Sequence, residues 1–308
     1  TTDLARVQQI VEINGVLYAA RGQATPGTWA AGDEYYTSTD GATWTVTNLT
    51  DCYAKGFVVA PNPAGTADNI WKFRTPNQLS RTSNGVAGGT QWESPTYVGD
   101  TSTDIVNIWV TGDKLYAGKE DGLFWIDSNG GVHSELPGEL SVNHSALNFK
   151  YLANSQTATY FSFPFQGMGE LTTAGTYRPM GPLTGIDNLG KSGRIDGITN
   201  DKDFLYVAVD EGTNGHIYKG REVLTSRGLR WDWCPWIFLS TTACVTIRTA
   251  EHTTNDRRLW MGYGNNTAYA LIFENPLADG NTTFTTAGWV RMSYTYGTDP
   301  NWDKLWQS

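Results

Sequence analysis

Six times along the chain an aliphatic residue or a threonine is followed by an aromatic and a short strand-like run: Leu17-Tyr18-Ala19-Ala20, Ile70-Trp71-Lys72-Phe73, Leu115-Tyr116-Ala117-Gly118, Thr159-Tyr160-Phe161-Ser162, Leu205-Tyr206-Val207-Ala208 and Leu259-Trp260-Met261-Gly262. The aromatics stand 53, 45, 44, 46 and 54 residues apart. Such a period outranks any single motif, because it means that one supersecondary unit is being reused. A polar turn of the kind that closes a hairpin precedes each copy, at Asn14-Gly15, Asp68-Asn69, Gly112-Asp113, Asn154-Ser155, Asn200-Asp201 and Asn255-Asp256.

Ahead of each turn lies a stretch predicted as an inner strand: Ile10 to Ile13, Phe57 to Ala60, Ile105 to Trp109, Leu147 to Tyr151, Ile195 to Ile198 and Cys244 to Ile247. A third strand follows the aromatic one, as at Glu34 to Thr37, Leu123 to Ile126, His216 to Tyr218 and Tyr269 to Phe273, and a fourth is marked by Trp44, Trp92, Val132, Tyr177, Trp231 and Trp289. Four antiparallel strands every ~45–50 residues is the period of a propeller blade, which buries both faces only by stacking on neighbours around an axis. The expectation is an all-β, six-bladed β-propeller, with blades at about 8–52, 53–100, 101–140, 141–190, 191–240 and 241–298. The competing architecture, a pair of β-sandwiches, needs no shared aromatic register between its halves.

Composition agrees with many short strands. Among 308 residues there are 34 Gly and 12 Pro, 13% are aromatic and only 17% charged, which gives a packed core and argues against global disorder. Lys and Arg number 22 against 31 Asp and Glu, a formal charge of −9 that opposes a nucleic-acid backbone. No apolar run approaches the ~18–20 residues of a membrane span, so neither nucleic acid nor membrane insertion is expected. Cys52, Cys234 and Cys244 stand in no metal-binding spacing and read as buried apolar thiols; neither a metal nor a cofactor is expected. The start at Thr1 and the closing Trp302-Asp303-Lys304-Leu305-Trp306 read as a processed chain or a piece of a longer one, with 299–308 a tail or the start of a further element.

Ser38-Thr39-Asp40-Gly41-Ala42-Thr43-Trp44 resembles the Asp-box, or BNR repeat, one residue shorter between Asp and Gly than the family pattern. Echoes occur at Ser83-Asn84-Gly85 with Trp92 and at Asp127-Ser128-Asn129-Gly130. The chemistry of the motif is that of a turn: the short acid accepts backbone N–H bonds, Gly supplies positive φ, and Trp packs between blades. The resemblance implies a propeller with these boxes at its rim, away from any ligand. Phe73-Arg74-Thr75-Pro76 looks like the Arg-Ile-Pro element of sialidases, in which the Arg grips a carboxylate, although here it falls in the second repeat. In style the chain also resembles propeller modules of tailed-phage virion proteins.

Three residues beyond the repeated aromatic stand Arg21, Arg74, Lys119, Phe163, Val209 and Tyr263. In a propeller these positions converge on the loop face, where the first three would hold a carboxylate or phosphate, unless each pairs with a nearby acid such as Asp33, Glu120 or Asp121. Trp29, in the long loop after Arg21, is suited to a sugar face or a protein partner. The candidate ligand-binding set is therefore Arg21, Trp29, Arg74, Lys119, Glu120, Asp121 and Tyr263. Trp231, Trp233 and Trp236 are expected to fill the gap between the fifth and sixth blades. The function expected is a non-enzymatic binding or structural module, extracellular or virion-associated, contacting glycan or protein neighbours. The alternative is a sialidase-like or other glycoside hydrolase, which would need a carboxylate pair about 5–5.5 Å apart.

Overall fold

The computed structural model describes residues 7–25, 28–47, 51–61, 69–82, 92–127, 129–135, 144–163, 167–182, 193–201, 204–212, 214–226, 228–239, 244–253, 256–263 and 268–273. They form strands joined by turns and no helix. The first sheet holds β1 (Val7–Ile13), β2 (Val16–Arg21), β3 (Tyr36–Ser38) and β4 (Thr45–Val46), and the second β5 (Gly56–Ala60), β6 (Asn69–Arg74), β7 (Gln78–Thr82) and β8 (Thr96–Tyr97). The third comprises β9 (Ile105–Thr111), β10 (Lys114–Lys119), β11 (Gly122–Ile126) and β12 (Val132–Ser134), and the fourth β13 (Leu152–Asn154), β14 (Ala158–Phe163), β15 (Gly167–Thr172) and β16 (Tyr177–Met180). In the fifth are β17 (Arg194–Asn200), β18 (Leu205–Asp210), β19 (Gly215–Thr225) and β20 (Gly228–Leu239); in the sixth, β21 (Cys244–Thr253), β22 (Asp256–Tyr263) and β23 (Ala268–Phe273).

Every sheet is an antiparallel meander in chain order, and none closes on itself. The hairpin signals work as read where they are described. Asn14 and Gly15 both take positive φ, 53° and 77°, in the β1–β2 turn, and Gly112 does so at 63° in the β9–β10 turn.

The core lies between sheets. Five clusters of buried side chains each join one sheet to the next, for example Tyr18, Tyr35, Phe57 and Ile70 between the first and second, or Trp109, Tyr116, Phe149 and Phe161 between the third and fourth. Within them the recurring aromatic follows one rule. Tyr18, Trp71, Tyr116, Tyr160 and Tyr206 all face the following sheet. Because side chains alternate across a strand, the odd-offset neighbours of these aromatics face the preceding sheet.

Several expectations are corrected. Leu147 to Tyr151 is a turn and not a strand: Asn148 N–H bonds Ser145 O, Phe149 sits at φ 58° with its ring in the core, and the first strand of the fourth sheet begins at Leu152. Trp92 lies outside the fourth strand of its sheet, packed against Tyr35 and Phe57. Trp236 does pack between the fifth and sixth sheets, but Trp231 and Trp233 turn toward the fourth. Cys234 is exposed and Cys52 half-buried, so neither is the fully buried thiol expected. Trp289 lies outside the described residues, as does the echo at Ser83-Asn84-Gly85.

The Asp40 turn has the bonding its sequence implies. Asp40 Oδ1 accepts the N–H groups of Ala42 and Thr43 at 2.9 and 2.7 Å and the Ser38 hydroxyl at 3.0 Å, while Gly41 takes φ 71°. These donors, the Thr43 N–H foremost, hold the Asp40 carboxyl down at about 2. Trp44 departs from expectation: its indole N–H returns to Gly41 O at 3.1 Å, within its own turn. Asp127 repeats the pattern, accepting Asn129 and Gly131 N–H groups at 2.8 and 2.7 Å.

Candidate functional site

One end of the sheets carries a contact that recurs at three successive joints. Where a second strand ends, its backbone meets the segment leading into the next sheet's first strand. Arg21 N–H donates to Ala54 O at 3.1 Å, Ile105 N–H to Pro76 O at 2.7 Å, and Ser145 N–H to Glu120 O at 3.0 Å. This end is where Arg21, Arg74 and Lys119 stand, each the last residue of β2, β6 or β10.

The three cations share that level but not one task. Arg21 is buried, only 3% exposed, with Nη1 donating to Tyr36 Oη at 2.9 Å and its guanidinium 5.0 Å from that ring's centre. Lys119 is fully buried and donates to the carbonyls of Val98 and Asp100 at 3.0 and 2.7 Å. Burial pushes its pKa down. Both side chains are held inside the fold, where the expectation had them meeting a ligand. Of the three, Arg74 is the partly exposed one. Its Nη1 meets Asp51 Oδ1 at 2.6 Å and its Nε bonds Gln78 Oε1.

Lys72, two residues before Arg74 and so on the same side of β6, completes the local network. It approaches Asp51 Oδ2 at 3.1 Å, donates to Tyr53 O at 3.0 Å and to Asp51 O, and lies 4.7 Å from the Trp92 ring centre. Burial outweighs the Asp51 attraction and lowers its pKa to about 8. The sequence search missed Lys72 because it sits one residue after the aromatic, where the search looked three residues on.

Trp29 and Arg74 are brought together. The loop after β2 is folded by the buried Asp33, whose carboxylate accepts the N–H groups of Ala24 and Ala30, each at 3.1 Å. That fold lets Trp29 Nε1 donate to Thr75 O at 3.1 Å and sets its ring 5.7 Å from Tyr53. Trp29, Tyr53 and Arg74 thus form a half-buried aromatic and guanidinium patch, with Asp51 behind it.

Beside this patch lies a second polar group. Lys55 N–H donates to Phe73 O at 2.8 Å, and its ammonium, lowered in pKa by burial, feels Asp104 and Glu120 in the next sheet. Glu120 meets His144 Nε2 at 2.9 Å, and Asn148 Nδ2 bonds its carbonyl at 2.6 Å. Asp121 accepts the Thr103 hydroxyl at 3.0 Å and is exposed. Asp104 is the acid the sequence reading overlooked: burial pushes its carboxyl up, opposed by Lys55 and reinforced by Glu120. The side chain of Tyr263 lies outside the described residues. No cluster of three or more metal-ligating acids, histidines or cysteines occurs among the described residues.

No protein-family model matches the sequence, and no curated protein does. Solved structures match the fold. BBS1N, solved in complex with ARL6DN, superposes with a TM-score of 0.53 over 88% of this chain and 79% of that one, at 12% identity. The extracellular domain of the one-component system BT4673 from B. thetaiotaomicron gives 0.50 over 88% of this chain, at 14% identity. The match covers 39% of that protein, so the chain spans well under half of it. Both are β-propeller proteins, and at these identities the likeness is one of fold: the chain has a β-propeller fold.

Proposed function

We propose that the chain is a six-bladed propeller acting as a non-enzymatic binding or structural module of an extracellular or virion-associated protein. Its ligand face is the end carrying Trp29, Tyr53 and Arg74. One observation carries the binding role: two aromatic rings and a guanidinium, drawn from two sheets, are fixed side by side by Asp33 and Asp51 yet left partly open to solvent. Aromatic faces flanked by a planar cation suit the apolar face of a sugar and its hydroxyl or carboxylate groups. The Asp40 turn, at the opposite end of its sheet, is read as an Asp-box serving architecture alone.

Closure into a single ring is supported by which faces stay open. Trp260 is 37% exposed, whereas the five equivalent aromatics are at most 7%. On β1 the face turned away from the second sheet carries Ile10, 47% exposed. Joining the sixth sheet to the first would cover both groups by the rule the other five joints obey.

Binding is tested by titrating sialylated and neutral glycans into the chain and into Trp29→Ala and Arg74→Ala. Saturable binding lost in both variants supports the reading. A second reading, a glycoside hydrolase, is favoured by the raised Asp104 carboxyl beside Glu120. Turnover of a fluorogenic glycoside, abolished by Asp104→Asn, would replace the binding module with an enzyme.

A further inference from the structure

Which ligand suits the patch at the ligand face depends on which edges of the Arg74 guanidinium are open. A carboxylate or sulfate grips an arginine through two parallel N–H bonds, either end-on from Nη1 and Nη2 or side-on from Nε and Nη2. At Arg74 both edges are broken. Nη1 is held by Asp51 Oδ1 at 2.6 Å and Nε by Gln78 Oε1, which leaves Nη2 as the nitrogen without a partner among the described residues. A single amino group suits an oxygen that needs one donor, such as a sugar hydroxyl.

The Asp51 contact is anchored from behind. The second oxygen of Asp51 meets the buried Lys72 ammonium at 3.1 Å, so a ligand anion competes for Nη1 against a carboxylate held in place by two cations. The surroundings disfavour an anion too. Burial raises the pKa of the Tyr53 phenol, and Cys52, Glu34 and Asp33 raise it further against the opposing pull of Arg74. Lys55, beside the patch, faces Asp104 and Glu120 instead.

What remains for a ligand is uncharged in character: the tilted rings of Trp29 and Tyr53, 5.7 Å apart, the Tyr53 hydroxyl and Arg74 Nη2. Thr75, whose carbonyl takes the Trp29 indole N–H, also keeps a buried hydroxyl with no partner among the described residues. That adds an unsatisfied hydrogen-bonding group beside the patch.

We infer, building on the ligand-face reading, that this site takes a neutral, hydroxyl-rich glycan and discriminates against the acidic form of the same glycan. Asp51 and Gln78 are the positioning residues that set this preference, acting through Arg74.

An array of galactose-, glucose- and mannose-terminated glycans tests this, each beside the same glycan bearing a sialic acid, a glucuronate or a sulfate. Affinities within a pair are then compared by calorimetry. The neutral member should bind the intact chain at least about five-fold tighter than its acidic partner, and Trp29→Ala should weaken both. Gln78→Ala frees Nε and opens the side-on edge without touching Asp51. Asp51→Asn removes the competing charge and keeps the backbone, since Asn tolerates the left-handed φ of 59° found there as Asp does. Each variant should narrow the preference several-fold, whereas a defect of structure alone would weaken both members alike. An acidic member that binds the intact chain as tightly as its neutral partner, or tighter, overturns the inference and leaves the ligand face standing. A preference that neither variant alters overturns it as well. Binding of no glycan, or binding that survives Trp29→Ala unchanged, removes the ligand face itself and the inference with it.

Discussion

Lys72 and Lys119 perform the same task one sheet apart. Each turns a buried ammonium into backbone carbonyls of the segment entering its own sheet: Tyr53 and Asp51 for Lys72, Val98 and Asp100 for Lys119. A charge in that setting is tolerated because carbonyl oxygens take its N–H donors, and removing it leaves those oxygens short of a partner.

The first prediction follows from that geometry. Lys119→Met keeps the stem's volume but strands two carbonyls, and should cost about 2–4 kcal/mol in urea unfolding. A cost below the scatter of exposed-site variants would show that the ammonium is not a staple.

Asp40 supplies the pH prediction. Its folded pKa lies near 2, below the ordinary aspartate value of about 3.9. A carboxylate depressed on folding contributes stability that is fully present above its unfolded pKa and lost as pH falls through the folded one. The contribution should therefore fade between about pH 4 and pH 2. Carbon-detected NMR titration of the Asp40 carboxyl should give a midpoint near the lower end. Asp40→Ala should remove that part of the acid dependence.

Packing between sheets is tested by adding one methyl group. A Cβ on Gly118 would meet the Phe149 side chain at 2.5 Å, at the joint of the third and fourth sheets. Gly118→Ala should destabilise by about 1–3 kcal/mol, the ordinary cost of overpacking. The same change at Gly15 also carries a cost, because its φ is 77°, yet nothing there obstructs the new methyl. A neutral Gly118→Ala would mean the joint is looser than described.

At the proposed ligand face, Trp29→Ala and Arg74→Ala should each weaken glycan affinity about ten-fold or more, measured by calorimetry. Arg74 is only partly buried, so its thermal midpoint should move little. Unfolding in both variants would make the patch a structural joint.

The repeat was legible because burial enforces it: Tyr18, Trp71, Tyr116, Tyr160 and Tyr206 recur where each sheet must cover the next. What escaped was set by pairing across sheets. Whether Lys119 points to solvent or into carbonyls depends on where Val98 and Asp100 run, a fact of the connecting segment that no spacing records. Phe149 reads as a strand residue by composition, yet its place in the core is reached from a turn. The length of β19 and β20 is hidden in the same way, since a long hairpin and a short one share one alternating pattern.

Ring closure is tested most directly by a distance. Spin labels at Ile10→Cys on β1 and Arg248→Cys on β21, with the native cysteines replaced by Ser, report the gap between the first and sixth sheets by electron–electron double resonance. With sheets stacked ~10 Å apart, a closed ring puts the labels roughly 10–20 Å from one another. An open row of six would separate them by about 50 Å, and that distance would contradict the propeller drawn here.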